Sequence, residues 1–319
     1  MAATLEILKR ILLSVILLAG CSRRAEPVRL VLQPTSTNNY PSYFASWLGF
    51  YKEEGVNVEI SQVAGAAKVL EAVVGGSADV GGGVYESTLQ MAAEGKSIVC
   101  FLSLIRSPNF AIVASPSIKT FADLRGKTVG VTSVGSPSQT YLNYALKLAG
   151  VNPSDVSVAN IGVNATAVAA LEYGRVDAGV LFGTAIPSYL ARKPDAVVLA
   201  DTRTLEGLRA VFHVDDYPAS CLLARREWLD SHQDTAKRMA RAVLRSLAWI
   251  REHSAEEVLA RIPAESRTGD AASEIAAIRL AQPIYSVDGR INKESAEAVL
   301  AILGLNLPKS AVLGTFVNP

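Results

Sequence analysis

Gly76-Ser77-Ala78-Asp79-Val80-Gly81 and, 98 residues later, Gly174-Arg175-Val176-Asp177-Ala178-Gly179 are one pattern written twice. An alanine- and valine-rich stretch leads into each copy, 66–74 in the first case and 165–173 in the second. Further upstream, Gly55-Val56-Asn57 is echoed by Gly150-Val151-Asn152. Before each echo stand an amphipathic segment and a short apolar run, 28–32 and 128–131. The repetition predicts two similar α/β halves, hence two lobes with a crevice between them. Such an arrangement suits the capture of a small ligand better than it suits chemistry.

The 319 residues suffice for one large or two medium domains. Half of them are apolar and about a fifth charged, an ordinary globular balance. Lys9-Arg10 precede an apolar run, 11–18, that falls short of the roughly 20 residues a bilayer crossing needs. Leu18-Ala19-Gly20-Cys21 then reads as a lipobox, with 1–20 a removable signal peptide and Cys21 the site of lipidation. A plain secretory signal with an incidental Cys21 is the alternative. Cleavage there removes two basic residues and one acidic, leaving 29 of each. A neutral mature chain with no basic stripe excludes nucleic acid as a partner. Cys100 and Cys221 lie in apolar contexts and read first as buried thiols, although an exported compartment would permit a disulfide.

After a tether at 21–27, apolar runs separated by amphipathic segments predict strands at 28–32, 56–60, 78–80, 98–103, 128–131, 156–160, 178–182 and 197–200. Gly81-Gly82-Gly83 reads as a loop, and Pro41 opens a helix running to Gly55. Phe110 to Ala114 and Ser220 to Ala224 are the expected crossovers and hinge strands. The C-terminal part is helical, at 234–251, 255–261, 271–281 and 293–303. Strands alternating with helices imply mostly parallel sheets covered on both faces.

Catalytic signatures are missing. His213, His232 and His253 form no pair at metal-ligand spacing, and neither an esterase elbow nor a phosphate loop is present. No cofactor and no metal is expected. Ligands of open α/β sheets sit beyond the carboxyl ends of the parallel strands, a rule that selects five loops. They contain Thr35, Ser36, Asn38 and Tyr40; Gly65; Gly82, Val84, Tyr85 and Glu86; Ser133, Ser136, Pro137, Ser138 and Gln139; and Asn164 with Phe182, Gly183 and Thr184. Ser136 looks like an N-cap with Pro137 at the first helical position, leaving free amides that attract an anion or a polar group. Ser136 could equally serve as a cap alone, and Glu86 could simply complement a helix dipole. With no arginine or lysine in these loops, a neutral or NH-bearing ligand is expected, stacked on tyrosine, while a small oxyanion held by amides is the alternative.

Four stretches carry a family resemblance: Trp47-Leu48-Gly49-Phe50-Tyr51-Lys52-Glu53-Glu54-Gly55, Ala78-Asp79-Val80-Gly81, Asp123-Leu124-Arg125-Gly126-Lys127-Thr128-Val129-Gly130-Val131 and Gly174-Arg175-Val176-Asp177-Ala178. In them the chain resembles the ABC-transporter substrate-binding proteins of the nitrate/sulfonate/taurine group, whose fold is shared with pyrimidine-precursor binders. The resemblance implies an α/β, two-lobed type II periplasmic-binding fold with two hinge strands. It divides the chain into lobe 1, residues 28–112 and 219–319, and lobe 2, residues 113–218. It also implies a monomer that delivers a small molecule to an ABC permease, with Cys221 placed on a strand beside that of Cys100. A ligand-sensing module for a membrane receptor and a pyrimidine-synthesis enzyme on the same fold are the competing readings.

Overall fold

The computed structural model describes residues 26–319; the signal-peptide and Cys21 expectations fall outside them. Among the described residues, ten strands form two five-stranded sheets. In chain order the first lobe contributes β1 (Val28–Leu32), α1 (Tyr40–Trp47), α2 (Phe50–Glu53), β2 (Val58–Gln62), α3 (Ala66–Val74), β3 (Val80–Val84), α4 (Tyr85–Ala93) and β4 (Ile98–Ser103). The second contributes β5 (Phe110–Ala114), β6 (Thr128–Val131), α5 (Pro137–Leu148), β7 (Ser157–Asn160), α6 (Asn164–Glu172), β8 (Ala178–Phe182), α7 (Ala185–Arg192), β9 (Val197–Asp201) and α8 (Leu205–Phe212). The chain then returns through β10 (Ser220–Arg225) and the helices α9 (Arg226–Ser231), α10 (Gln233–Glu252), α11 (Ala255–Arg261), α12 (Ala271–Ala281) and α13 (Lys293–Leu303).

The strand orders are β2-β1-β3-β10-β4 and β7-β6-β8-β5-β9. Each sheet is parallel except for one antiparallel member, β10 in the first and β5 in the second. These two are the expected hinge strands, and both lie inside a sheet. The chain changes lobe just before each of them, through 104–109 and again through 213–219. Phe110 to Ala114 pair along their whole length with β8 and β9, so the first crossing ends before Phe110 instead of at 112.

The repeated hexapeptide does the same mechanical work in both halves. Gly76 and Gly174 take φ of +78° and +63°, a left-handed turn that ends α3 and α6. Asp79 Oδ2 then accepts the amide of Arg29 on β1 at 2.9 Å, and Asp177 Oδ2 accepts that of Thr128 on β6 at 2.9 Å. In return, the Asp79 and Asp177 amides donate to the carbonyls of Arg29 and Thr128. Each aspartate thus staples the incoming strand to its parallel neighbour at the end remote from the crevice. The closing glycines allow helix and strand to approach closely. A Cβ on Gly81 would stand 2.8 Å from both Val69 Cγ1 and Val73 Cγ2, and one on Gly179 3.2 Å from Leu171 Cδ1.

Close packing also corrects the sequence reading of Gly81-Gly82-Gly83, which is strand and not loop. Leu32 fills the space beside Gly82, and Leu223 that beside Gly83, so side chains from β1 and β10 occupy the room a Cβ would need. The helix expected from Pro41 to Gly55 breaks in two at Gly49, whose φ is +78°. The second strand runs two residues later than expected, at Val58–Gln62. By contrast, 255–261, 271–281 and 293–303 form helices as read from their periodicity.

Replacing Asp177 by Ala leaves the Thr128 amide without its side-chain acceptor and should cost about 1–3 kcal/mol of stability in denaturant melts. Asp79→Ala should cost a similar amount. Burial alone would raise the Asp79 carboxyl, but the Arg29 hydrogen bonds and charge outweigh burial and hold it below the usual carboxylate range. Its contribution is therefore present at neutral pH and lost as pH falls through that lowered value. Melts of Asp79→Ala and the parent that converge at acid pH bear this out; a constant difference contradicts it.

Candidate functional site

The carboxyl ends of the two sheets face each other. Glu86, two residues beyond β3, accepts a hydrogen bond from Tyr141 on α5, the helix that follows β6. Seven helices follow parallel strands directly: α1, α3, α4, α5, α6, α7 and α8. Thr204 caps α8, but none of the other six has a side-chain hydrogen bond capping its start. Elsewhere, Ser254, Asp270 and Asn292 each cap their own helix. At these six helix starts after parallel strands the first amides have no side-chain acceptor and can serve a polar group from outside the chain, as they can also at α2, α9 and α10.

On the first-lobe side the loop from Thr35 to Tyr40 is clamped to the crossings. Asn109, in the left-handed region at φ +56°, donates from Nδ2 to Thr37 Oγ1 at 3.2 Å and to Asn38 Oδ1 at 3.1 Å. Ser220 Oγ donates to the Asn38 carbonyl at 3.0 Å, and the Tyr285 hydroxyl to the Thr37 carbonyl at 2.7 Å. Thr35 is buried, while Ser36 and Asn38 stay half-buried. Gly65 is exposed at the start of α3, and Val84 is half-buried at the end of β3.

Two expected aromatic platforms are structural instead. Tyr40 is buried, and its hydroxyl donates to Glu274 Oε2 at 2.7 Å; Glu274 also accepts the Thr268 amide at 2.6 Å and the Gly269 amide at 3.1 Å. Tyr85 is fully buried, with its hydroxyl 2.7 Å from Thr315 Oγ1 and its ring edge-on to Phe316. Both rings point into the first-lobe interior, because the alternation at a strand-to-helix junction turns successive side chains to opposite sides. Gly82 is occluded by Leu32. Glu86, next in line after Tyr85, is the side chain that reaches the opposite lobe.

Glu86 is 1% exposed. Its Oε1 accepts the hydroxyls of Tyr141 and of Tyr217, the latter at 2.8 Å, whereas Oε2 has no hydrogen-bond partner. Burial raises the carboxyl above its ordinary range, a shift that the Tyr141 and Tyr217 hydrogen bonds only partly offset. The two phenols are themselves held well above the usual tyrosine range by burial and by the neighbouring carboxyl. Tyr141 stacks on Phe110 with centroids 4.9 Å apart, and Phe212, Tyr217, Tyr144 and Phe182 complete an aromatic wall.

The second-lobe loop carries a trio of hydroxyls. Thr132 Oγ1 lies 3.0 Å from Ser136 Oγ and 2.9 Å from Ser138 Oγ, and the two serine oxygens are 2.6 Å apart. Ser136 occupies the N-cap position with Pro137 behind it, but its hydroxyl joins this trio instead of capping the helix. Gln139 Oε1 accepts the Gly135 amide at 2.7 Å, and Asn160 Oδ1 the Val134 amide at 2.6 Å, which leaves Ser133 exposed at the rim. Asn164 and Phe182 line a cavity of about 10 Å³ together with Thr132 and Ala185. Gly183 turns the chain at φ +51°, and Thr184 abuts the first-lobe loop at Gly269, where an added Cβ would lie 3.3 Å away.

A larger recess of about 470 Å³ lies elsewhere, between the Arg106–Asp216 ion pair of the crossings and the loop 286–292. It includes none of the loop residues read from the sequence. Of the histidines, His232 stacks on Trp228 and His253 on Trp249, while His213 follows Phe212 and is exposed. Among the described residues no group of three His, Cys, Asp or Glu could hold a metal ion, and no helix is long and apolar enough to cross a membrane. Cys100 and Cys221 are buried free thiols on the adjacent antiparallel strands β4 and β10.

Sequence reasoning missed Tyr141, Tyr217 and Asn109. The helical spacing of Tyr141 with Ala145 and Leu148 marks it only as part of a packed helix face. Tyr217 lies in the return crossing that carries no periodicity at all. A left-handed Asn at the end of a crossing leaves only the residue type as a signal.

Several known proteins are similar to this chain. YtlA of Bacillus subtilis (strain 168) is 24% identical over 94% of this chain and 91% of that protein. The 4-amino-5-hydroxymethyl-2-methylpyrimidine phosphate synthase of Legionella pneumophila is 31% identical, but the match spans only 41% of this chain and 42% of the synthase. A solved structure from Bordetella bronchiseptica RB50 superposes with a TM-score of 0.83 at 32% identity, covering 92% of this chain and 95% of that one. The periplasmic aliphatic sulphonate binding protein SsuA of Escherichia coli shares the fold, with a TM-score of 0.71 at 23% identity over 88% and 91% of the two chains. The family model described as NMT1/THI5 like matches residues 36–257, well over half of the sequence, and the chain belongs to that family.

Proposed function

We propose that this protein captures one small organic molecule between its lobes and hands it to an ABC importer in the membrane. The observation that carries the reading is the crevice itself. Helix starts without side-chain caps and hydroxyl- and amide-rich loops meet there from both sheets, while the nearest carboxyl is sealed among phenols. A ligand in that place would be gripped by amide dipoles and hydroxyls, with Ser36, Asn38, Thr132, Ser136, Asn164 and Thr184 as its contacts. Closure would shift an open–closed equilibrium by the ligand's preference for the shut form. The moving bodies would be lobes 1 and 2, turning about 104–109 and 213–219. SsuA is named as a binding protein, which supports capture as the common use of this fold.

The same reading places the mature chain outside the cytoplasm as a monomer, tethered by lipid on Cys21. An enzyme is the competing reading, because the Legionella relative is named as a synthase. Two features favour capture. His232 and His253 stack on tryptophans of the C-terminal helices, and the five loops contain neither histidine nor lysine.

Native mass spectrometry of the freshly purified full chain tests the proposal. One small molecule retained per chain and released unchanged supports it; chemical conversion of that molecule on the protein contradicts it. Ser136→Ala should weaken capture of the retained molecule about tenfold, equivalent to about 1.4 kcal/mol, in calorimetric titration. Tyr85→Phe should lower stability by about 1 kcal/mol and leave capture unchanged, because it removes only the bond to Thr315.

A further inference from the structure

The lobes are tied together at one polar point. Outside the crossings, and among the described residues, the Tyr141–Glu86 hydrogen bond is the only side-chain hydrogen bond joining one lobe to the other. Among the described residues, no ion pair joins the two lobes directly; each lies within one lobe or involves a residue of a crossing. The acceptor is a carboxyl on α4 of the first lobe. One donor stands on α5 of the second lobe, and the other, Tyr217, on the return crossing. We propose that this contact is a proton-operated bolt: the lobes lock when Glu86 carries a proton and are released when it ionises. The proposal rests on the reading of the lobes as jaws.

The balance of charges and donors supports this. With the lobes in contact, Oε1 accepts both phenols, which is what the carbonyl oxygen of a neutral carboxyl can do, while Oε2 has no hydrogen-bond partner in the chain. An ionised carboxylate in that position would leave half its charge uncompensated, a burial that costs several kcal/mol. The groups facing it are Tyr141 from α5, Tyr217 from the crossing, Tyr85 from its own helix and Cys221 from β10; none carries positive charge. Both phenols are held well above the usual range and stay donors at any ordinary pH. Opening exposes Oε2 to water, where a carboxyl ionises at about pH 4.3.

Burial raises the Glu86 carboxyl in the closed form. The closed form is therefore fully favoured below the ordinary carboxylate range and loses that advantage as pH rises through the higher closed-state value. Between the two values the closed-to-open ratio should fall about tenfold per pH unit. Tyr141 delivers its hydroxyl from a firm backing, since its ring lies flat on Phe110 of β5, with an interplanar angle of 4°. Closure would thus be sensed at a group away from the amide- and hydroxyl-lined grip.

Small-angle X-ray scattering of the full chain, dialysed free of small molecules, tests this at pH 5 and pH 8. The parent should contract on going to pH 5, with a smaller radius of gyration than at pH 8. Glu86→Gln, which keeps an acceptor for both phenols but cannot ionise, should be compact at both values. Tyr141→Phe should lose the contraction while keeping its circular dichroism. A parent insensitive to pH, a Glu86→Gln variant that still contracts, or a Tyr141→Phe variant that contracts like the parent each overturns the bolt. Because no ligand is present, such a failure is separate from a failure to capture cargo.

Discussion

The whole arrangement depends on two strands that run against their neighbours. β5 and β10 each enter a parallel sheet antiparallel, next to its central strand, after the chain has crossed from the other lobe. A strand that arrives from the opposite lobe and pairs antiparallel must start at the carboxyl end of its new sheet. The carboxyl ends of both sheets are thereby brought to the crossings and made to face each other. The loops that follow the parallel strands then have nowhere to point except into the shared crevice. The aspartate staples sit at the far ends, so the edge of each sheet that must stay exact is held rigid away from the part that must adapt.

As the proposed binding surface, the crevice is also electrostatically unusual. Its loops hold hydroxyls, amides and helix starts, but no cation balances the one carboxyl that enters it. A site of that kind discriminates by geometry of donors and acceptors more than by net charge. It also makes Glu86 costly to ionise while the lobes are shut. The aromatic wall of Phe110, Tyr141, Phe212 and Tyr217 deepens that cost by excluding water from one flank.

Much of this was legible in the sequence. The repeated hexapeptide predicted two similar halves, and its aspartates and glycines turn out to occupy equivalent positions in both. The C-terminal helices followed from 3.6-residue periodicity with no tertiary information needed. Failures came where packing overrode local propensity. Three consecutive glycines read as a loop, yet they form a strand because Leu32, Leu223, Val69 and Val73 fill the space where side chains would stand. Tyr40 and Tyr85 were read as platforms because they lie in the right loops, but which way a ring points at a strand-to-helix junction is set by the core beneath it. Glu86 stands out in the sequence as a carboxylate in one of the loops, while its partners do not, since Tyr141 and Tyr217 come 55 and 131 residues later in the chain.

The most direct measurement is a crystal structure of protein taken straight from its producing cells, without added ligand. Density for a small molecule between the loops at 35–40 and 133–139, with both lobes pressed upon it, is the predicted result. A crevice holding only water, with the molecule lodged instead in the recess beside Arg106 and Asp216, would contradict the account.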